Sequence, residues 1–268
     1  MSAPSATDFD QDFSAAGTSA GLRRVWELAA PDLPPEVQPF SFVSAALLRH
    51  VARALRLSPG QTLADLGCGR GGPGLWLARE TGVSLVGVDF SPVAIDQATH
   101  RAALFRVTAK ARFFVGDLTS TALPDAHADA AVSIDAFHVA ADPAAAAAEA
   151  RRILRPAGRL VLTSWQPKVP DDARLPARLR IDLPRLLCGA GFGDVGVEAQ
   201  PEWHDLYTRV YRVAIDLGDP RDDSGLARLQ DEARRRLPEA GLTRRVVVTA
   251  TALTPASAVT GRPPAFRR

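Results

Sequence analysis

Between Leu63 and Ser91 the chain reads Leu63-Ala64-Asp65-Leu66-Gly67-Cys68-Gly69-Arg70-Gly71-Gly72-Pro73-Gly74, a helical stretch to Glu80, then Leu85-Val86-Gly87-Val88-Asp89-Phe90-Ser91. A short apolar run, a glycine turn, a helical stretch and a second apolar run closed by an acid predict strand, turn, helix, strand. Gly67, Gly69 and Gly72 fit G-x-G-x-x-G, a spacing that lets a ligand approach backbone amides at a helix N-terminus. Asp65 sits two residues before the first glycine. Asp89 falls at the tip of the second strand, where a carboxylate accepts hydrogen bonds from both hydroxyls of a ribose. The plainer reading of the same residues is that Asp65 caps a turn which the glycines merely make tight.

The period continues. Pro73 and Ser91-Pro92 suit first helical turns, where a missing N–H is no loss, and the second of these helices is predicted to run to about Thr108. Arg112 to Leu118 reads as a third strand, Asp129 to Asp135 as a fourth and Arg159 to Trp165 as a fifth. Asp142-Pro143 caps an alanine-rich helix through Leu154. Further helices are predicted over Ser41 to Leu57 and Leu175 to Ala190, and a sixth strand over Val195 to Ala199. Strands alternating with helices predict an α/β fold with a doubly wound, mostly parallel sheet of seven strands. Its ligand belongs at the carboxyl ends of the strands. Residues 1–19 read as a disordered tail, 20–253 as one domain and 254–268 as a mobile tail. Within the domain, residues 20–60 supply N-terminal helices, and 200–240 form a helical insertion before the last strand, which begins near Arg244.

The D-x-G-x-G arrangement resembles class I S-adenosylmethionine-dependent methyltransferases of the small-molecule type, over roughly Gln61 to Trp165. The resemblance implies S-adenosylmethionine as cofactor, with Asp65, Gly67, Cys68 and Gly69 at its methionine part and Asp89 at the ribose. It places Phe90 beside the adenine, Asp117 and Leu118 at the adenine edge, and Ser133 among the cofactor contacts. The charge argument stands apart from the resemblance. The methionine end carries an ammonium, for which an acid at 65 is a counter-charge; the pyrophosphate of a nicotinamide dinucleotide would be repelled there.

The end of the fourth strand, Ser133-Ile134-Asp135-Ala136-Phe137-His138-Val139, is expected to face the transferred methyl. The N-P-P-Y type of motif is absent, which argues against DNA-base or side-chain amide substrates. Asp135 lacks an acidic partner in Thr163-Ser164-Trp165-Gln166, so no metal is expected. His138 has two readings: a general base, since an ordinary histidine titrates near 6.5, or a hydrogen-bonded histidine lining the pocket. In the insertion, Trp203, Tyr207 and Tyr211 are candidates for the acceptor pocket, and His204 is a backup base. Tyr207 and Tyr211 are four apart and share a helix face, which lets them line one wall, although an aromatic pair at that spacing is more often core. Trp26 and Phe42 either pack on the sheet edge or join a lid.

Composition narrows the partners. The 268 residues carry a net charge of +2 and 46% hydrophobic residues, with no basic stripe to suggest nucleic acid. Lys110 and Lys168 are the only lysines. Cys68 and Cys188 offer neither a disulfide framework nor metal spacing. No apolar run reaches the roughly 18–20 residues of a membrane span, and the opening residues lack the build of a signal peptide, so a cytoplasmic protein is the expectation. The function implied is methyl transfer to an oxygen, nitrogen or carbon of a small, secondary-metabolite-like acceptor. The alternatives are non-methylating chemistry on the same fold, such as cyclisation or elimination, and a non-catalytic S-adenosylmethionine-binding module. Oligomeric state is not legible.

Overall fold

The runs Leu63–Leu66, Leu85–Val88 and Ala130–Ile134 show little polar alternation, as suits strands covered on both faces. In the computed structural model, which describes residues 6–254, they lie at the centre of a seven-stranded sheet. Its strands are β1 (Thr62–Leu66), β2 (Ser84–Asp89), β3 (Ala111–Val115), β4 (Ala128–Ile134), β5 (Leu154–Pro167), β6 (Phe192–Ala199) and β7 (Thr243–Ala252). The order is β3-β2-β1-β4-β5-β7-β6. β1 to β5 pair in parallel, and β7 runs antiparallel to β5 and β6. The order reverses between β1 and β4, which opens a crevice beyond their carboxyl ends.

Successive residues of each strand feed opposite cores. Leu63, Leu85, Val132 and Val161 pack under helices α2 (Ala20–Ala29), α3 (Ala45–Leu55), α4 (Gly72–Thr81) and α8 (Pro201–Asp216). Ala64, Val86, Ala131 and Leu160 pack under α6 (Pro143–Ile153) and α7 (Leu183–Gly189). α5 (Pro92–Arg101) lies against β2 and β3, and α9 (Ser224–Arg236) follows α8 in the insertion between β6 and β7. Caps set several starts. Asp142 Oδ1 accepts from the N–H groups of Ala144 and Ala145 at 2.9 and 3.0 Å, and Ser44 Oγ accepts from Leu47 N–H at 3.1 Å.

Several expectations need correction. The tail read as disordered contains helix α1 (Ala6–Thr18). Phe13 is 3% exposed and stacks with Phe9 and Phe40, while Gln97 on α5 donates to the Phe13 carbonyl at 3.2 Å. Phe9, Phe13 and Ala16 recur at helical spacing, but the small and acidic residues around them hide that stripe. The helix expected over 175–190 is a single turn, Ala177–Leu179, followed by the separate α7, because Pro184 and the cap Asp182, accepting from Arg185 N–H at 3.1 Å, start a new helix. The helix expected to reach Thr108 ends at Arg101, and the one expected over 41–57 spans only Ala45–Leu55. Of the C-terminal tail expected to be mobile, residues 255–268 lie outside the described residues.

Candidate active site

The carboxyl ends of β1, β2, β4 and β5, roofed by α1, the loop after α2, α8 and α9, enclose a cavity of about 1090 Å³. Its first wall is the glycine turn. Gly67 and Gly69 have φ of +72° and +51°. A Cβ at Gly67 would come within 2.4 Å of the Ala136 Cβ, so only glycine lets the tips of β1 and β4 approach. The N–H groups of Gly67 and Cys68 donate to the Val88 carbonyl at 2.8 and 3.0 Å, which fixes the turn on β2. Gly74 is a requirement of a different kind: a Cβ there would lie 2.3 Å from Asp65 Oδ2.

Asp65 and Asp89 are buried, at 3% and 5% exposure. Asp89 Oδ2 accepts from Gly69 N–H at 2.8 Å and Oδ1 from Ser91 N–H at 3.0 Å. Burial raises its pKa, and those two N–H groups oppose the rise. Asp65 has no hydrogen bond or ion pair to its carboxylate among the described residues, and it lines the cavity. Burial, then the Asp89 charge, pushes it up to about 7. A buried carboxylate without a partner, beside open space, is a place built for a cation. The arrangement therefore fits the ammonium end of S-adenosylmethionine, and it does not fit a pyrophosphate.

Cys68, Phe90 and Leu118 also line the cavity. The Phe90 ring meets Phe9 of α1 edge-on at 5.3 Å. Asp117 does not line it: its Oδ1 is held by Thr119, accepting from N–H at 2.7 Å and from Oγ1 at 2.6 Å, and its neighbours Gly116 and Leu118 form the wall instead. Ser133 is equally withdrawn, fully buried and donating to the Leu66 carbonyl at 2.7 Å, so it ties β4 to β1.

At the other end lie Trp26, Phe42, Tyr207 and Tyr211, with His138. Phe42 meets Tyr207 and Tyr211 edge-on at 4.8 and 5.1 Å, and Trp165 stands 4.4 Å from Tyr207. Both readings of the tyrosine pair hold together: the residues are buried, and they form a wall. Trp203 is away from the cavity, packed in the core against His50 at 5.4 Å. His204 is also outside the wall, stacked beside Trp165 and Tyr207, with its pKa lowered by burial first and by Lys168 next. His138 sits on the helical turn Phe137–Val139 and is lowered to about 4, chiefly by burial. It is a neutral imidazole at neutral pH and a weaker base than an ordinary histidine.

Three further residues shape this end, of which the sequence points only to Asp135, and there only as a metal ligand lacking a partner. Asp135, in left-handed backbone at φ +57°, directs its Oδ1 to Arg245 Nη2 and Thr163 Oγ1, both at 2.8 Å. Arg245 is fully buried, and its guanidinium lies 4.3 Å over the Trp165 ring. Arg178 enters the cavity from the turn Ala177–Leu179. The signal for Arg245 was present: successive strand residues face opposite sides, so one of Arg244-Arg245 has to turn inward. Among the described residues no group of three His, Cys, Asp or Glu side chains is placed to hold a metal ion, and no helix is long and apolar enough to cross a membrane.

Residues 64–162 match a family described as "Methyltransferase domain". The chain is 34% identical over 120 residues to 2-methyl-6-phytyl-1,4-hydroquinone methyltransferase of Synechocystis sp., covering 45% of this chain and 36% of that protein. It is 32% identical over 131 residues to 27-O-demethylrifamycin SV methyltransferase of Amycolatopsis mediterranei, covering 49% of this chain and 48% of that protein. The matched part thus spans less than half the length of these curated relatives. Among solved structures, the [4+2]-cyclase SpnF superposes with a TM-score of 0.65 at 24% identity, covering 78% of this chain and 80% of that one.

Proposed function

Residues 64–162 of this chain being a methyltransferase domain of the class I, S-adenosylmethionine-dependent type, we propose that the protein methylates an oxygen, nitrogen or carbon of a small organic acceptor. The observation that carries this reading is the buried, unpartnered Asp65 carboxylate facing the cavity beside the left-handed glycine turn. S-adenosylmethionine supplies a methyl group on a sulfonium and leaves as S-adenosylhomocysteine.

The chain's own residues do the rest. Asp65 opposes the ammonium charge, directly or through water. Asp89, already held by two backbone N–H groups, keeps lone pairs for ribose hydroxyls. Phe90 and Leu118 flank the adenine. Phe42, Tyr207 and Tyr211 wall the acceptor, and Trp26 closes the cavity from the N-terminal side. Holding two reactants in line removes roughly 7–11 kcal/mol of barrier, so positioning and exclusion of water suffice without a strong base. The acceptors named for the two relatives, a phytyl hydroquinone and a rifamycin, are both sizeable organic molecules, which suits a cavity of about 1090 Å³.

Incubation with methyl-labelled S-adenosylmethionine and small-molecule extracts of the source organism tests this. The expected result is label in an extract compound, with one S-adenosylhomocysteine released per methyl. The likeness of fold to a cyclase supports one rival, conversion of an acceptor without methyl transfer. Product formed with the cofactor left intact would establish that rival.

A further inference from the structure

The acceptor end of the cavity carries a charge that the methyl-transfer reading leaves unused. Arg178 is half-buried on its turn, which packs against the turn bearing His138. Its Nε is buried without a hydrogen-bond partner, and among the described residues it makes no ion pair. His138 Nδ1 is buried and unpartnered in the same way. Other charges nearby have partners, the exposed Arg235 and the buried Nε and Nη1 of Arg245 excepted. Asp135 is held by Arg245 and Thr163, Arg228 pairs with Asp12 on α1, and Arg236 approaches Glu239 at 3.6 Å. Glu232, facing Arg178 and Arg236 from α9, hydrogen-bonds with Tyr211, and burial raises its pKa against that bond and the Arg236 charge. Arg178 is thus a guanidinium at this end with no ion pair among the described residues and a buried, unpartnered nitrogen.

Arg178 lines the same cavity as an aromatic wall. Phe42, Trp165 and Tyr207 stand within 4.4 to 5.9 Å of one another by ring centroids. An arginine fork with free donors matches an oxyanion group, where a lysine would offer only a point charge. A neutral histidine beside it adds one N–H donor without adding a second positive charge. A neutral acceptor without a hydrogen-bond acceptor there would leave the buried Arg178 Nε unmet, whereas an oxyanion satisfies it.

We propose that the acceptor carries an oxyanion group, a carboxylate or a phosphate, on an aromatic or similarly flat apolar body, with Arg178 and His138 holding the oxyanion and Phe42, Trp165 and Tyr207 holding the body. This rests on the methyl-transfer reading only for the statement that an acceptor occupies this end. Arg178 is then the residue that selects acidic acceptors.

The test is binding of 2-naphthoate, 2-naphthyl phosphate and neutral 2-naphthamide to the full chain saturated with S-adenosylhomocysteine, followed by tryptophan fluorescence. At least one of the two anions is expected to bind ten or more times tighter than the amide, and the tighter of them names the oxyanion. Arg178→Gln is expected to bring all three within about threefold of one another, while Arg178→Lys keeps part of the preference and S-adenosylhomocysteine affinity stays within about twofold. Equal binding of the amide, a preference that survives Arg178→Gln, or no binding of either anion overturns the proposal. Because no methyl is transferred in this assay, its failure leaves the methyl-transfer reading standing, and that reading fails separately if S-adenosylhomocysteine is never formed.

Discussion

The two ends of the cavity are built by opposite means, and each leaves a charge of opposite sign unpaired, Asp65 at one and Arg178 at the other. The end at β1 and β2 comes from one continuous stretch, Leu63–Ser91, in which backbone N–H groups and two buried carboxylates are set by the glycine turn. The end at β4 and β5 collects Phe42, His138, Trp165, Arg178, Tyr207 and Arg245 from separate elements, and Arg178 there has no ion pair among the described residues. The first end leaves a carboxylate unpaired and waits for a cation. The second pairs its deepest acid within the protein. The lesson is that a buried charge serves the fold where it is paired and the ligand where it is not.

The largest test of that contrast is Arg245→Ala. Arg245 is 0% exposed and pairs at 2.8 Å with Asp135, whose side chain is 5% exposed. Removing one partner of a buried pair leaves the other charge stranded, at a cost of about 3–5 kcal/mol. Urea denaturation of the apoprotein reads that loss, and adding Asp135→Asn is expected to recover a good part of it. A loss below about 1 kcal/mol would mean that the pair does not hold this end together.

Asp65→Asn gives the converse. It removes a charge that only the ligand satisfies, so S-adenosylmethionine binding is expected to weaken by about 1.5–3 kcal/mol, roughly tenfold to 150-fold. Apoprotein stability moves the other way. The folded pKa of Asp65, about 7, lies above the unfolded value, so the folded state holds the proton more tightly. Stability is then lost as pH rises from the unfolded pKa, about 3.9, towards 7. The asparagine variant is spared that loss and is expected to be at least as stable as the parent near pH 8. Calorimetric titration together with a thermal melt checks both halves; a destabilised apoprotein with unchanged affinity would erase the contrast.

How much of each end was legible follows from how it is built. Asp65, Gly67, Gly69 and Asp89 are neighbours in sequence, so their spacing already specifies the turn and the acid at its edge. Asp117 lies outside the cavity wall, and the sequence shows an acid at a strand end but not that Thr119 takes its Oδ1. Ser133 is a similar case: its hydroxyl is turned to the Leu66 carbonyl, a contact between two strands. Arg178 and Arg245 escaped because their meaning depends on what crosses from other elements. Arg178 points inward only because Pro184 and Asp182 break the expected long helix and leave a separate turn beside His138. Helix α1 was missed for a compositional reason, since the segment reads as polar and small until Phe9, Phe13 and Phe40 are brought together.

A smaller effect sharpens the charge of the first end. If the ammonium binds only the ionised Asp65, affinity for S-adenosylmethionine rises with pH through the free-state value of about 7. The linkage amounts to about tenfold between pH 6 and pH 8. Proton release on binding, measured near pH 6.5 in two buffers of different ionisation enthalpy, is the direct readout. Asp65→Asn is expected to abolish both the slope and the release.

The smallest effect concerns His138, where burial at the second end has a consequence for chemistry. Burial, with Arg178, Arg245 and Arg236 acting in the same direction against Asp135, holds its pKa at about 4. Such an imidazole is neutral throughout the working range, and its weak basicity limits what it contributes as a general base, because efficiency follows the match of pKa to operating pH. Glutamine keeps a donor and an acceptor in nearly the same place. His138→Gln is therefore expected to lower kcat by less than tenfold, with S-adenosylmethionine affinity unchanged, and neither protein is expected to show an inflection in kcat near the ordinary histidine value of about 6.5. A rising limb centred there in the parent and missing from the variant would show that His138 titrates like a solvated histidine. The burial that the structure gives His138 at the acceptor end would then be wrong, and the contrast between the two ends would reduce to the unpaired carboxylate alone.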